Sequence, residues 1–373
     1  MKWSRTTAFA ADREGEHTEQ WTCTHDDGSC VAFDVAVRAG KPLDVLALKR
    51  FDLFQVRDYA SFLEEAAAKL YESASRLRAI THCACCGVPA ADDNQCILVV
   101  FGVPYVRCLR CGHLFVGKQP HSAALERLFS ESTDHSAIYV DRAAIATRMQ
   151  QVVEPKLRWC LDRFAASHSG KQPAQVIDVG AGGGHFLAAV NALGMAGEGF
   201  ELSASSRAFA REAFGLDLCE QNFLTSSRHG VDLVTFWGLL EYVPDPAPLV
   251  AKAREVLAAD GMLVVEVPRA DSVSTAVQGL SPAVVARHMD PTTHIQAFSD
   301  ESLMTLLLRS GFRPVAAWYF GMDVYELLVQ IACRCDDPAI VEVMAEAIPR
   351  IQQALDLGRQ CDDIIVAAVP IST

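Results

Sequence analysis

The fold of this chain is decided by one stretch of sequence, Gln175-Val176-Ile177-Asp178-Val179-Gly180-Ala181-Gly182-Gly183-Gly184-His185-Phe186-Leu187. Its apolar start, closing on Asp178, predicts a buried strand, and the alternate glycines that follow predict a tight turn. From His185 onward the pattern becomes helix-like. Because glycine has no Cβ, a ligand can contact the main chain at such a turn. The stretch therefore predicts a strand, a ligand-binding turn and a helix.

Strand-like and helix-like segments alternate regularly after this turn. Short apolar strands separated by longer helices predict an α/β fold whose doubly wound parallel sheet is covered on both faces. Ligands of such sheets bind at the carboxyl ends of the strands. The expected strands are 175–180, 197–202, 231–236 and 261–267.

Composition limits the class of protein. The chain has 373 residues, half of them apolar, and a formal net charge of −13. Its length allows two domains, or one α/β domain with additions. An acidic protein repels nucleic acid, so that partner is disfavoured, although a local basic patch stays open. No apolar run approaches the roughly 20 residues of a membrane helix, and the N-terminus lacks a signal-peptide core. We therefore expect a cytoplasmic protein with no membrane partner.

Two Cys-x-x-Cys-Gly motifs predict a metal site. Two residues between thiolates let both sulfurs face one point, and the trailing glycine lets the turn wrap back. Two such turns supply the four-thiolate tetrahedron that zinc prefers, with a structural role because no coordination position stays open. Cys85 is an alternative to Cys83 or Cys86, and a redox pair is the alternative to zinc. The flanking His82 and His113 are expected to be bystanders. The predicted ligands are Cys83, Cys86, Cys108 and Cys111.

The other segments set the expected domain boundaries. Residues 1–80 form a region of unclear fold that ends in an amphipathic helix, and residues 81–118 form the zinc-knuckle hairpin. Residues 119–170 are a helical connector, with a first helix at 122–129. A loop of small and polar residues then opens the catalytic domain, 171–373. Within it, the long segment 269–298 is expected to cap the substrate site.

Several motifs in order resemble those of one family, the class I S-adenosylmethionine (SAM) methyltransferases. The run from Asp178 to Gly184 resembles their motif I, whereas a dinucleotide-binding turn would need a glycine at His185. The run 240–246 is similar to their Leu-Glu-His-Val-Pro-Asp-Pro signature, and the run 294–299 is similar to their His-x-x-x-Phe-Ser helix start. The resemblance covers residues 175–370 and implies a seven-stranded Rossmann-like sheet with an antiparallel last strand. The zinc knuckles fit a group of bacterial members with such an N-terminal addition.

The family resemblance implies that the glycine turn faces the methionine part of SAM. Glu201 follows the turn by about twenty residues, where a carboxylate accepts the ribose hydroxyls of an adenosine. The segment 218–223 resembles the third strand and the turn that holds adenine. The expected cofactor-binding residues are Asp178, Gly180, Gly182, Gly184, Glu201, Leu202, Asn222, Phe223 and Trp237.

Three residues are candidates for the acceptor side. Tyr242 replaces the usual histidine of the signature, and a phenol with an unperturbed pKa near 10 is a poor base at neutral pH. The missing histidine also argues against a catalytic metal. His294 in the cap is the first candidate for a base, with a loop hydrogen-bonding role as the alternative, and His288 follows it.

Together, these patterns predict an enzyme, a SAM-dependent methyltransferase that acts on a small molecule by O- or C-methylation. A sugar nucleotide, a glycan precursor or a secondary metabolite is the acceptor by analogy. One alternative is an NAD(P)-dependent oxidoreductase, which shares the acidic residue after the second strand. The other is a zinc-ribbon module that binds nucleic acid or protein beside a non-catalytic scaffold.

Overall fold

The computed structural model describes residues 1–6, 15–49, 51–73, 77–90, 95–121, 125, 141–280 and 289–371. The strands are β1 (Lys2–Thr6), β2 (Glu16–Thr24), β3 (Cys30–Ala39), β4 (Leu77–Ala79), β5 (Gln95–Val100), β6 (Val103–Arg107), β7 (Leu114–Val116), β8 (Lys118–Pro120), β9 (Gln175–Val179), β10 (Ala196–Phe200), β11 (Val231–Trp237), β12 (Leu257–Pro268), β13 (Gln296–Ala297), β14 (Phe312–Phe320) and β15 (Asp363–Pro370).

The helices surround these strands, and none in the described residues is long and apolar enough to span a membrane. They are α1 (Val45–Lys49), α2 (Leu53–Tyr71), α3 (Ile145–Arg148), α4 (Glu154–Ser167), α5 (His185–Ala192), α6 (Ala204–Phe214), α7 (Ala247–Val256), α8 (Val273–Leu280), α9 (Asp300–Arg309), α10 (Asp323–Cys335), α11 (Ala339–Val343) and α12 (Ile348–Leu357).

A nine-stranded sheet has the order β1-β2-β3-β14-β15-β12-β11-β9-β10. Its β10, β9, β11 and β12 are parallel neighbours, and they coincide with the four strands predicted from the sequence. The last strand, β15, runs antiparallel to both β12 and β14. Apolar side chains of the central strands are buried in two core clusters. The predicted α/β, Rossmann-like fold with a reversed last strand is therefore confirmed.

The predicted third strand does not form. Cys219 makes only an isolated bridge with Phe200, through backbone hydrogen bonds of 2.7 and 2.9 Å to Gly199 and Glu201. The chain then enters a one-turn 3₁₀ helix at Phe223–Thr225, which Asn222 caps. The Asn222 side chain accepts a hydrogen bond from a backbone N–H that a strand would use for pairing, so a 3₁₀ turn forms in place of a strand. The catalytic segment thus contributes six strands to the sheet rather than seven.

Residues 1–80 supply the other three strands. Strand β3 pairs in parallel with β14, and β2 and β1 continue the sheet as antiparallel neighbours. Trp21, Val35 and Val37 lie within the same core cluster as the central strands. The expected terminal helix ends at Tyr71, before β4. The N-terminal region is therefore joined to the catalytic sheet through shared hydrogen bonds and a shared core.

The cysteine-rich hairpin is also joined to the catalytic segment. Strands β5, β6 and β7 form an antiparallel sheet whose fourth strand, β13, comes from the expected cap. The connector is helical from Arg142 to Ser167 and includes a π-helical turn at Met149–Val153. The helix expected at 122–129 and the part of the cap at 281–288 lie outside the described residues, apart from Leu125.

We predict that Trp21→Ala lowers the free energy of unfolding by about 3–5 kcal/mol, because it empties a large volume in the shared core. Trp21 is 1% exposed. Urea unfolding of the full-length protein measures the change. The exposed neighbour Gln20 provides the control, since Gln20→Ala should change stability by less than about 0.5 kcal/mol. Equal effects of the two substitutions would contradict the burial of Trp21 in the shared core.

Candidate functional site

The glycine turn exposes bare backbone at the carboxyl end of β9. Gly180, Gly182 and Gly184 have φ angles of 72°, 53° and 77°, which other residues adopt only with strain. A Cβ on Gly180 would lie 3.0 Å from Leu239 Cδ1. A residue larger than glycine at this position would therefore crowd the Leu239 side chain and also strain the backbone.

A cavity of about 480 Å³ opens beside this turn, at the carboxyl ends of β9, β10 and β11. Its volume lies within the range of about 300–1,000 Å³ that small-molecule sites have. Gly184 does not line it; it begins α5 and packs against Ala210 of α6. The other eight predicted cofactor residues line the cavity, namely Asp178, Gly180, Gly182, Glu201, Leu202, Asn222, Phe223 and Trp237.

Glu201 is held in place by the backbone. Its Oε2 accepts a hydrogen bond from the Gly182 N–H at 2.8 Å, and its Oε1 accepts one from the Ser203 N–H at 2.7 Å. Burial raises the pKa of Glu201, and these two N–H groups oppose that rise. Each carboxylate oxygen keeps a further lone pair. The carboxylate can therefore accept ribose hydroxyls while it anchors the turn.

One part of the cavity wall is formed by the turn that follows the Cys219 bridge, where the sequence predicts adenine binding. Asn222 Oδ1 accepts a hydrogen bond from the Leu224 N–H at 3.0 Å, which fixes the side chain as a cap. Phe223 is buried and packs edge-on against Phe200, with ring centroids 5.3 Å apart. Phe223 thus presents part of its surface to the cavity from within the core.

Asp178 is a buried carboxyl group on the floor of the cavity. Thr235 Oγ1 donates a hydrogen bond of 2.7 Å to its Oδ1. Burial raises the pKa of Asp178 to about 7, although the Thr235 hydroxyl acts in the opposite direction. The group can therefore change its charge near neutral pH.

Lys156 is a cavity residue that the sequence did not reveal. It lies on α4, in the connector, and its ammonium group pairs with Glu266 Oε2. The Nζ also lies 5.0 Å from the centroid of the Trp237 ring, a cation–π arrangement. The connector has no family motif, so its sequence carried no signal of this role. Arg148 and Val152 line the same wall.

The three acceptor-side candidates are placed differently. Tyr242 lines the cavity. His294 lies behind Tyr242, and the centroids of the two rings are 4.7 Å apart. His294 Nδ1 is 3.0 Å from Thr293 Oγ1, and its carbonyl oxygen accepts a hydrogen bond from the Tyr105 hydroxyl at 2.8 Å. The cap therefore brings His294 to Tyr242 and not directly to the cavity wall. His288 lies outside the described residues.

Residues 149–317 match the model of a family described as a methyltransferase domain. This range of the chain is a methyltransferase domain. The matched range includes the glycine turn, Glu201 and Tyr242, and it extends into β14. A comparison with curated proteins found no match.

A comparison with solved structures also found methyltransferases, at low sequence identity. The plantazolicin methyltransferase BamL is 14% identical, with a TM-score of 0.44 over 67% of this chain and 95% of that chain. The magnesium protoporphyrin IX methyltransferase from Synechocystis PCC 6803 is 11% identical, with a TM-score of 0.45 over 67% of this chain and 100% of that chain. A SAM-dependent methyltransferase from Archaeoglobus fulgidus is 19% identical, with a TM-score of 0.40 over 61% of this chain and 99% of that chain.

The four predicted metal ligands converge beside the methyltransferase domain. The Sγ atoms of Cys83, Cys86, Cys108 and Cys111 all lie within 4.8 Å of one another. Two of the pairs are 3.6 and 3.7 Å apart. A tetrahedral zinc ion with Zn–S distances of about 2.3 Å places its sulfurs about 3.8 Å apart, so the set fits zinc. Cys85 is buried outside this set.

His113, interpreted from the sequence as a bystander, is instead fully buried between the knuckle and the methyltransferase domain. Its Nε2 lies 2.8 Å from Gln296 Oε1, and its ring packs against Phe298 with centroids 4.9 Å apart. Burial lowers the pKa of His113 to about 4. The imidazole is therefore neutral at physiological pH and acts as a hydrogen-bonding group inside the fold.

We predict that the full-length protein binds one zinc ion per chain and that Cys111→Ser removes it, since the tetrahedron loses a thiolate. Metal analysis after gel filtration measures the content. Cys85→Ser is the matched control, because it changes a buried cysteine of the same knuckle outside the converging set, and it should keep the zinc. Loss of zinc in the Cys85 variant alone would assign the ligand role to Cys85.

We also predict a pH-dependent effect of Asp178→Asn. The folded protein keeps Asp178 protonated up to about pH 7, whereas the unfolded chain releases that proton near pH 3.9. The stability from this group is thus present at low pH and lost as the pH rises through about 7. The free energy of unfolding of the Asn variant minus that of the natural protein should therefore increase by about 2 kcal/mol when the pH is raised from 5 to 7.5.

Urea unfolding at the two pH values measures this gain. Asp217→Asn, which alters an exposed carboxylate paired with Arg211 in the same domain, serves as the control. A stability difference for Asp178→Asn that is the same at both pH values would contradict the shifted titration.

Proposed function

We propose that the protein transfers the methyl group of SAM to a small-molecule acceptor. The observation that carries the proposal is the cavity in which the glycine turn and the Glu201 carboxylate are joined by one hydrogen bond. It combines bare backbone, a fixed carboxylate and an apolar wall in a volume of small-molecule size.

In this proposal, residues at one end of the cavity hold SAM. Glu201 accepts the ribose hydroxyls, Phe223 contacts the adenine, and the backbone from Gly180 to Gly182 faces the methionine part. SAM supplies an activated methyl group on its sulfonium. The main task of the protein is then to orient an acceptor in line with that bond and to exclude water.

The other end of the cavity is the proposed acceptor site. Trp237, Tyr242 and Lys156 line it, and the connector helix forms its outer wall. We assign acceptor contact to Tyr242, whose orientation depends on the His294 ring behind it. His294, the base expected from the sequence, lies behind Tyr242 and does not line the cavity, so in this proposal a proton lost by an acceptor oxygen or carbon would reach its imidazole by way of the Tyr242 hydroxyl.

The nature of the acceptor is inferred by analogy. A sugar nucleotide, a glycan precursor or a secondary metabolite suits a domain of this kind. A binding-module function is disfavoured, because the cysteine hairpin shares a sheet with the cap strand β13 and so belongs to the catalytic unit.

We predict that SAM and its product S-adenosylhomocysteine (SAH) raise the melting temperature, whereas NAD and NADP do not. Glu201→Gln should weaken SAH binding about 10- to 100-fold in calorimetry, because hydrogen bonds to a charged group are worth about 1.5–3 kcal/mol. Glu198→Gln is the matched control. Glu198 lies on β10, three residues before Glu201, but it pairs with Arg228 at 2.8 Å and does not line the cavity, so its variant should bind SAH normally.

Stabilisation by the nicotinamide nucleotides alone would overturn the proposal. If SAH binds, incubation with SAM and a panel of nucleotide sugars, glycan precursors and phenolic metabolites, followed by measurement of SAH release, tests the acceptor class. SAH release with protein or nucleic-acid acceptors only would contradict the small-molecule part.

A further inference from the structure

The cysteine knuckle is fastened to both ends of α9, the helix that follows the cap. At its start, Ser299 Oγ donates a hydrogen bond of 2.5 Å to the carbonyl oxygen of Cys111. At its end, the Arg309 guanidinium packs against Gly87 of the other knuckle. The approach is so close that a Cβ added to Gly87 would lie 2.5 Å from Arg309 Nη1. The hairpin therefore has a defined position on the catalytic domain rather than a mobile one.

The same hairpin also holds the end of the cap. Strand β13 pairs with β7, and the Val116 N–H donates a hydrogen bond of 2.9 Å to the carbonyl oxygen of Ile295. The Tyr105 hydroxyl donates to the carbonyl oxygen of His294 at 2.8 Å. The backbone around His294 is thus shaped by the cysteine-rich sheet.

A chain of buried side chains continues from the knuckle to the cavity. Gln296 Nε2 donates hydrogen bonds to the carbonyl oxygens of Leu240, at 3.3 Å, and of Val243. Because the amide nitrogen is used in this way, its Oε1 faces His113, and His113 Nε2 must be the donor of the 2.8 Å bond between them. His113 is 0% exposed and Gln296 is 1% exposed.

The two carbonyls that Gln296 holds bracket Tyr242. The 3₁₀ turn Leu240–Tyr242 is short, and its own backbone bonds, from Tyr242 N–H to Leu239 and from Val243 N–H to Leu240, are 3.1 and 3.3 Å long. So short a turn has little stability of its own. Its conformation therefore depends on the amide that bridges its two ends.

We propose that His113 and Gln296 are positioning residues, through which the metal-binding knuckle sets the acceptor-side wall of the active site at Tyr242. The proposal rests on the proposed function, because that function makes the Tyr242 end of the cavity the acceptor site. The glycine turn adjoins the Tyr242 turn through the side chain of Leu239, but neither it nor Glu201 takes part in the hydrogen bonds that run from His113 to Tyr242. Loss of the knuckle connection should loosen the Tyr242 turn and leave cofactor binding intact.

Hydrogen–deuterium exchange of the zinc-loaded, full-length protein tests this. In His113→Leu, which removes the donor to Gln296, exchange of a peptide covering 239–243 should rise about tenfold or more, while exchange of a peptide covering 180–184 stays unchanged. His113→Gln restores an N–H donor and should return exchange at 239–243 toward the natural rate. SAH affinity, measured by calorimetry, should change less than about threefold in both variants.

Arg110→Gln is the matched control. Arg110 lies inside the same knuckle, but its guanidinium pairs with Asp26 in the β2–β3 turn and not with the cap. This variant should leave exchange at 239–243 unchanged. The proposal is overturned if His113→Leu matches Arg110→Gln, or if exchange rises equally at 180–184, which would indicate general destabilisation. Failure of the natural protein to bind SAH would instead contradict the proposed function, since the exchange comparison needs no ligand.

Discussion

The hydrogen bond from the Gly182 N–H to Glu201 connects the two neighbouring strands on which the site depends. It joins the turn after β9 to the end of β10, at a point where both strands present their carboxyl ends. The turn can reach Glu201 only because glycine accepts positive φ angles at Gly180 and Gly182. A carboxylate with two backbone donors is held without help from a flexible partner, so the cavity floor is formed before any ligand arrives.

A second group of buried charges ties the additions to this core. Arg5 of β1 and Arg269, just beyond β12, both pair with Asp300 at the start of α9, and the Tyr319 hydroxyl donates to the same carboxylate at 3.0 Å. These guanidinium groups hold the pKa of Asp300 well below its usual range. A buried carboxylate with three partners is satisfied, whereas removing one partner would leave a charge buried and poorly compensated. The N-terminal strand, the cap and the helix after it are therefore interdependent.

The proposed acceptor side of the cavity is built from other segments than the proposed cofactor side. Its wall combines Lys156 from the connector, Trp237 from β11 and Tyr242 from a turn whose carbonyls are held by the cap. A π-helical turn precedes Lys156 in the connector, and such turns often occur at functional sites. Segments that lie far apart in the chain thus form one surface at the place where the acceptor is proposed to bind.

The sequence by itself determined the α/β class, four parallel strands, the reversed last strand and the glycine turn with Glu201. These are local properties, because periodicity, glycine spacing and strand ends are carried by neighbouring residues. Only the tertiary structure decided that β1–β3 extend the sheet and that Lys156 faces the cavity. It also decided that the predicted third strand is reduced to an isolated bridge at Cys219. His113 shows the reason most clearly. Its role depends on Gln296, which is far away in sequence, and no local pattern records a contact that forms only when distant segments pack together.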